Sequence, residues 1–326
     1  MNTFADPLNH AVLVGADRTA TVCGDVRHTF RELWTRCRQL GGLLDRLGIE
    51  RGERVAIWAD NSHQYVEVYS AVPAHGRTVV PLNTRHSEPE LVYALNDCGA
   101  RILLTDRDPG KLADCVEHVI QIPDEFESLL AESEEVELGV GVVESDLAGL
   151  FYTGGTTGAS KGVMLTHRNL ISNTFHWMSL IPHQSSDSML VMAPLFHAAG
   201  SNAVLANIWT TGKQVMLPVF SGAGALDLIE AEACTGSIGV PTMISAIVEE
   251  QMARPRKTDS MNWLAHGGSP IATQLLRRVH EAIPSAELVE VYGATELSPL
   301  ATVFRHEETL FEDDRIRSAG PPVLGV

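Results

Sequence analysis

The sequence has little positive charge. Among 326 residues, 24 lysines and arginines face 41 aspartates and glutamates, a net charge of −17. Non-specific nucleic-acid binding draws its affinity from basic surface, so that class of function is not expected. The five cysteines, Cys23, Cys37, Cys98, Cys115 and Cys234, are scattered, odd in number and free of C-x-x-C spacing. Neither a disulfide framework nor a zinc site of that kind is expected, and reduced thiols are the default. No run approaches the ~20 apolar residues that span a bilayer. The opening MNTFADPLNH lacks the basic and apolar regions of a signal peptide. Repeats and low-complexity tracts are absent. A soluble, cytoplasmic protein is the expectation.

What is present is an alternation of short apolar runs and helical patterns. Apolar residues make up 44% of the chain, enough for a sizeable core. Thr29-Phe-Arg-Glu32 fits a capping box, and Phe30, Leu33, Trp34, Cys37, Leu40 and Leu44 follow at helical spacing. Ser87-Glu-Pro-Glu90 fits a second. The runs 54–59, 78–82, 101–105, 148–152, 188–192, 214–217, 237–240 and 287–292 read as strands, and 166–178 reads as a helix. Such alternation predicts βαβ units and mostly parallel sheets. The segment 131–146, AESEEVELGVGVVESD, holds no lysine or arginine. It reads as a solvated connection between a first lobe of roughly 1–140 and a second of roughly 147–326.

Four short stretches carry chemistry. Tyr152 to Gly162, YTGGTTGASKG, joins glycines that turn backbone N–H groups toward an anion, hydroxyl donors and one ammonium. This describes a phosphate cradle, though not a Walker A loop, because Lys161 is followed by Gly162 rather than by serine or threonine. Val291-Tyr-Gly-Ala-Thr-Glu296 ends a strand in an aromatic ring able to stack on a base. A threonine donor for phosphate and a carboxylate suited to Mg²⁺ follow. Ala265-His-Gly-Gly-Ser-Pro270 brings bare backbone close to something flat. Ala193-Pro-Leu-Phe-His-Ala-Ala-Gly200 places His197 beside small residues. Taken singly, each also reads as an ordinary turn, a solvated loop or, for His197, a core histidine.

In this order the four stretches resemble the adenylate-forming superfamily: acyl- and aryl-CoA synthetases, firefly luciferase and the adenylation domains of peptide synthetases. YTGGTTGASKG is similar to the family's Y-T-S-G-T-T-G-x-P-K-G, with Gly154 in place of serine and Ser160 in place of proline. Tyr292 to Glu296 matches Y-G-x-T-E, Ala193 to Gly200 matches A-P-L-F-H-x-x-G, and Gly267 to Pro270 matches G-G-[AS]-P. The resemblance implies two packed, mostly parallel β-sheets flanked by helices, layered αβαβα. It implies that Thr153, Gly155, Thr156, Thr157, Gly158 and Lys161 hold the β- and γ-phosphates of ATP. Tyr292 and Gly293 would meet adenine, with Gly267, Gly268 and Ser269 nearby. Thr295 would hold the α-phosphate, Glu296 the Mg²⁺, and His197 would adjoin the acid.

The implied reaction has two steps. A carboxylate attacks the α-phosphorus of ATP and releases pyrophosphate, and coenzyme A then takes the acyl group and AMP leaves. Amino-acid-activating relatives carry an aspartate near the position of His197, so an acid without an α-amino group is expected. The small apolar surroundings, 198–200, 239–243 and Ile271, favour a fatty acid, with an aryl acid as the alternative. A carrier-protein thiol remains an alternative acceptor. The family's T-G-D motif, hinge and small C-terminal domain have no counterpart before Val326. A truncated N-terminal portion with little activity of its own, prone to homodimerise through apolar surface, is therefore expected. A binding module without turnover, or a phosphotransferase using the glycine-rich loop, are the other readings.

Overall fold

The computed structural model describes residues 2–154, 160–181, 183–307 and 313–326. Among these, fourteen strands form two sheets and ten α-helices cover their faces.

The first half of the chain runs α1 (Ala5–Gly15), β1 (Thr19–Cys23), β2 (Val26–Thr29), α2 (Phe30–Arg46), β3 (Arg54–Trp58), α3 (His63–Ala74), β4 (Thr78–Pro81), α4 (Glu88–Cys98), β5 (Ile102–Thr105), β6 (His118–Gln121) and α5 (Asp124–Ala131). Then follow β7 (Leu147–Thr153), β8 (Lys161–Thr166), α6 (His167–Leu180), β9 (Ser188–Val191), α7 (Ala198–Thr210), β10 (Lys213–Met216), α8 (Gly222–Glu232), β11 (Gly236–Gly239) and α9 (Pro241–Ala253). The last described elements are β12 (Trp263–Gly267), α10 (Thr273–Ala282), β13 (Glu287–Gly293) and β14 (Leu300–His306). Both expected capping boxes form. The Glu32 carboxylate accepts from the Thr29 backbone N–H at 2.7 Å, and Glu90 accepts from that of Ser87 at 2.8 Å.

One sheet has the order β6-β5-β3-β4-β7-β8 and the other β14-β13-β12-β11-β9-β10-β1-β2. Only the pairs β1–β2, β7–β8 and β13–β14 are antiparallel. Each sheet therefore takes strands from both sides of the acidic segment: the β1–β2 hairpin joins β10, and the β7–β8 hairpin joins β4.

Alternation along the strands sorts side chains into layers. In the first sheet Val55, Ile57, Val79 and Leu104 face a central core shared with α1, α2, α3 and α7. Ala56, Val80 and Leu103 face outward onto α4. In the second sheet Leu190, Val215, Leu264 and Leu288 pack under α8, α9 and α10. The layers run α, β, α, β, α, as the resemblance implies. The acidic segment differs from a purely solvated connection. Leu138 and Val142 are buried, and Gly139 donates its N–H to the Ala74 carbonyl at 2.9 Å. Arg38 and Arg51 reach Glu135 and Asp146 at 2.6 and 3.1 Å, offsetting the charge run.

Candidate active site

A cavity of about 390 Å³ opens where β9, β11, β12 and β13 end. The carboxyl ends of parallel strands are where open α/β sheets bind ligands. Three of the four sequence motifs meet there. His197 enters from the loop after β9, Gly267 and Gly268 from the end of β12, and Tyr292, Gly293 and Thr295 from the end of β13.

Each contributor is fixed by identifiable contacts. The loop before His197 is tied to the other sheet by Asn61, which donates to the Ala193 carbonyl and accepts from the Leu195 N–H, both at 2.9 Å. His197 stands at the N-cap of α7 with its ring 4.6 Å from that of Phe196. His197 keeps an exposed face, but its partial removal from water, then the nearby Arg85 and His86 charges, lowers its pKa below the ordinary imidazole value, which favours the neutral ring. Gly268 adopts φ +78°, a conformation suited to glycine. Gly293 lies so close to the next turn that a Cβ would sit 1.6 Å from the Pro299 carbonyl oxygen. Tyr292 is 54% exposed, so its ring offers an open face at the cavity rim.

The floor of the cavity is apolar: Trp177, Ile238, Val240, Met243 and Leu300. Asn173 stabilises that wall, donating to the Leu300 carbonyl at 2.8 Å and accepting from its N–H at 2.9 Å. Asn202 donates to the same Asn173 carbonyl oxygen at 2.6 Å. A planar polar group against Tyr292 and bare glycine backbone, beside an apolar slot, matches what this arrangement can hold.

The remaining expected residues lie outside this lining. Thr153 ends β7 and Lys161 begins β8, and the two are direct partners in the antiparallel ladder. Lys161 is exposed, and β8 packs beside the 3-10 turn Thr295–Leu297 that carries Thr295 and Glu296. Gly155, Thr156, Thr157 and Gly158 lie outside the described residues. Ser269 is exposed and does not line the cavity, and neither does Glu296. The Glu296 carboxylate is exposed and forms no ion pair among the described residues. As a hard oxygen donor beside the phosphate-type donors, it fits a Mg²⁺ ligand. Ile271 packs against the outer core under α8 to α10 instead of the acid pocket. Arg85, Trp177 and Asn202 line the cavity without having been singled out in the sequence. Arg85 alone had a readable signal, its place just beyond the end of β4.

The fold and this cavity define a class: α/β proteins with paired, mostly parallel sheets and a cleft at the strand ends. The AMP-binding enzyme family model matches residues 8–326, and the chain belongs to that family. It is 33% identical over 307 residues to a feruloyl-CoA synthase of Amycolatopsis sp, covering 93% of this chain and 61% of that protein. It is 30% identical over 308 residues to a long-chain-fatty-acid–CoA ligase of Thermus thermophilus, covering 89% of this chain and 56% of that one. The chain thus spans about 60% of the length of these relatives. The inhibitor-bound N-terminal domain of FACL13 from Mycobacterium tuberculosis superposes with a TM-score of 0.91 at 25% identity, over 99% of this chain and 83% of that one. Among the described residues, no helix is long and apolar enough to cross a membrane.

Proposed function

We propose that this chain binds ATP and a carboxylic acid side by side, and that the protein it represents is an AMP-forming acyl-CoA synthetase. The observation that carries this reading is the meeting of His197, Gly267, Gly268, Tyr292, Gly293 and Thr295 in one cavity at the strand ends.

In this reading Tyr292 stacks on adenine, and Gly267, Gly268 and Gly293 admit the ring edge because they have no side chains. Thr153, Lys161 and the stretch Gly155, Thr156, Thr157 and Gly158 receive the β- and γ-phosphates, while Thr295 donates to the α-phosphate. Glu296 holds Mg²⁺, which supplies charge neutralisation when bound. A carboxylate oxygen then attacks the α-phosphorus, a P–O bond forms, and the bond to the bridging oxygen breaks with pyrophosphate leaving on the Lys161 side. The protein's part is to align two anions and offset their repulsion, work done by fixed donors and not by a protein nucleophile. His197, held neutral, faces the incoming carboxylate as a dipolar neighbour. Coenzyme A takes the acyl group in the second step.

The apolar floor supports a fatty acid. An aryl acid is the second reading, favoured by the Trp177 ring in the cavity and by the likeness to a feruloyl-CoA synthase. Isothermal titration with ATP·Mg²⁺ tests the proposal. Binding by the wild-type chain, lost in a Lys161→Ala, Glu296→Ala double variant and weakened in Tyr292→Ala, is expected. No binding by the wild type would sink it. Titration of the ATP-loaded chain with a medium-chain fatty acid and with a hydroxycinnamic acid separates the two acid classes.

A further inference from the structure

The three strands under the cavity carry a second constellation that the proposed chemistry does not use. His266 on β12, Glu290 on β13 and His306 on β14 turn their ligand atoms toward one point, all within 4.8 Å of one another. The two Nε2 atoms are 3.0 Å apart, and His306 Nε2 lies 3.4 Å from Glu290 Oε2. Tetrahedral bonds of ~2.0–2.1 Å to zinc place donor atoms about 3.3 Å apart, so two of the three separations need only small adjustments. Both imidazoles are almost fully buried, at 1% and 6% exposure, and each Nδ1 lacks a hydrogen-bond partner. The polar contacts of the pair therefore run through Nε2. Three electron-pair donors converge there, and a single N–H between them satisfies only one pairing; a cation satisfies all three at once.

The chain offers an internal contrast. His28, His63 and Glu67 are equally close-set, but both Glu67 oxygens already accept from the Arg36 guanidinium, at 2.7 and 2.9 Å. That cluster has its cation built in. No arginine or lysine is paired with Glu290 among the described residues, and its carboxylate remains partly open to solvent. That opening would give an ion an entry path and leave room for a solvent ligand in the fourth position.

We propose that His266, Glu290 and His306 bind a zinc-class divalent ion, since two imidazoles and a carboxylate suit such metals. His266 and Glu290 are register partners, and His266 immediately precedes Gly267, while Glu290 stands two residues before Tyr292. The ion would clamp three strands that present the nucleotide-facing glycines and tyrosine.

The test uses the full chain stripped with a chelator and titrated with Zn²⁺ by calorimetry and with Co²⁺ by visible absorption. One tight equivalent is expected. The Co²⁺ spectrum should show the d–d bands of tetrahedral coordination without the thiolate charge-transfer band that a cysteine site would add. His306→Gln and Glu290→Gln, which keep side-chain volume, should each weaken binding by at least ~100-fold, because even loss of an outer-shell partner costs 10–100-fold. The metal should raise the melting temperature of the wild type and not of these variants. His28→Asn should bind as the wild type does. The proposal falls if the wild type takes up no stoichiometric metal, if the two glutamine variants still bind, or if His28→Asn loses the site.

Discussion

Two glycines show how differently one residue type can be constrained. At Gly293 a Cβ would meet the Pro299 carbonyl oxygen at 1.6 Å, a backbone atom with no rotamer to yield. Gly293→Ala should therefore cost at least about 2 kcal/mol, as forced overpacking does, and lower the denaturant midpoint. At Gly154, where the family has serine, an added Cβ would meet nothing within 4 Å. Gly154→Ser should leave stability within about 0.5 kcal/mol of the wild type and act, if at all, on ATP affinity. Equal effects of the two changes on the midpoint would contradict this. The motif residues that meet in the cavity were legible in the sequence because they stand in short contiguous stretches, two of them at Gly267 and Gly293, where a side chain would clash. Trp177 and Asn202 were not, because only the tertiary fold brings them from α6 and α7 to the same cavity. His266, Glu290 and His306 likewise become neighbours through sheet register, at spacings that no ligand motif prescribes.

At the scale of elements, the capped helices and most interior strands were readable and the sheet margins were not. The runs read as strands include β3, β4, β5, β7, β9, β10, β11 and β13, all interior to their sheets. All four edge strands, β2, β6, β8 and β14, escaped, as did the interior strands β1 and β12. An edge pairs on one side only and tolerates polar residues, as in the Val-Arg-His-Thr of β2, so its hydrophobic signature is weak. Packing between elements also has a charge component. Arg36 of α2 bridges Glu67 of α3 and Glu127 of α5 at 2.7 and 2.8 Å, and His63 of α3 lies 3.4 Å from Glu127. Burial disfavours the His63 charge, but the neighbouring Cys23 and Glu127 side chains outweigh it and raise its pKa to about 9. The group binds its proton more tightly folded than unfolded. Its stabilisation is complete below the ordinary value of 6.5 and is lost as pH rises through about 9. The melting temperature should fall across that window, and His63→Gln should flatten the fall. A wild-type slope retained in the variant would place its origin elsewhere.

Across the whole molecule, the two sheets are not consecutive stretches of chain. The β1–β2 hairpin departs early to finish the sheet built mainly by the later half, and Val22 from it is buried in the outer core under α8 to α10. The β7–β8 hairpin makes the reciprocal move, setting Thr153 and Lys161 on the margin of the earlier sheet while β8 stays beside the turn of Thr295 and Glu296. This mutual loan makes the chain resemble two interlocked hooks. Severed in the acidic segment, residues 1–140 would carry a hairpin with no strand to dock on, and residues 147–326 would lack both that hairpin and the support for their own. Each piece made alone should stay unfolded or aggregate, whereas the two made together should find each other and copurify as a native-like complex. A piece that folds in isolation would show that the loan is not needed. If the hooks hold, the protein is a natural split reporter, in which the nucleotide binding proposed above would return only when its halves reunite.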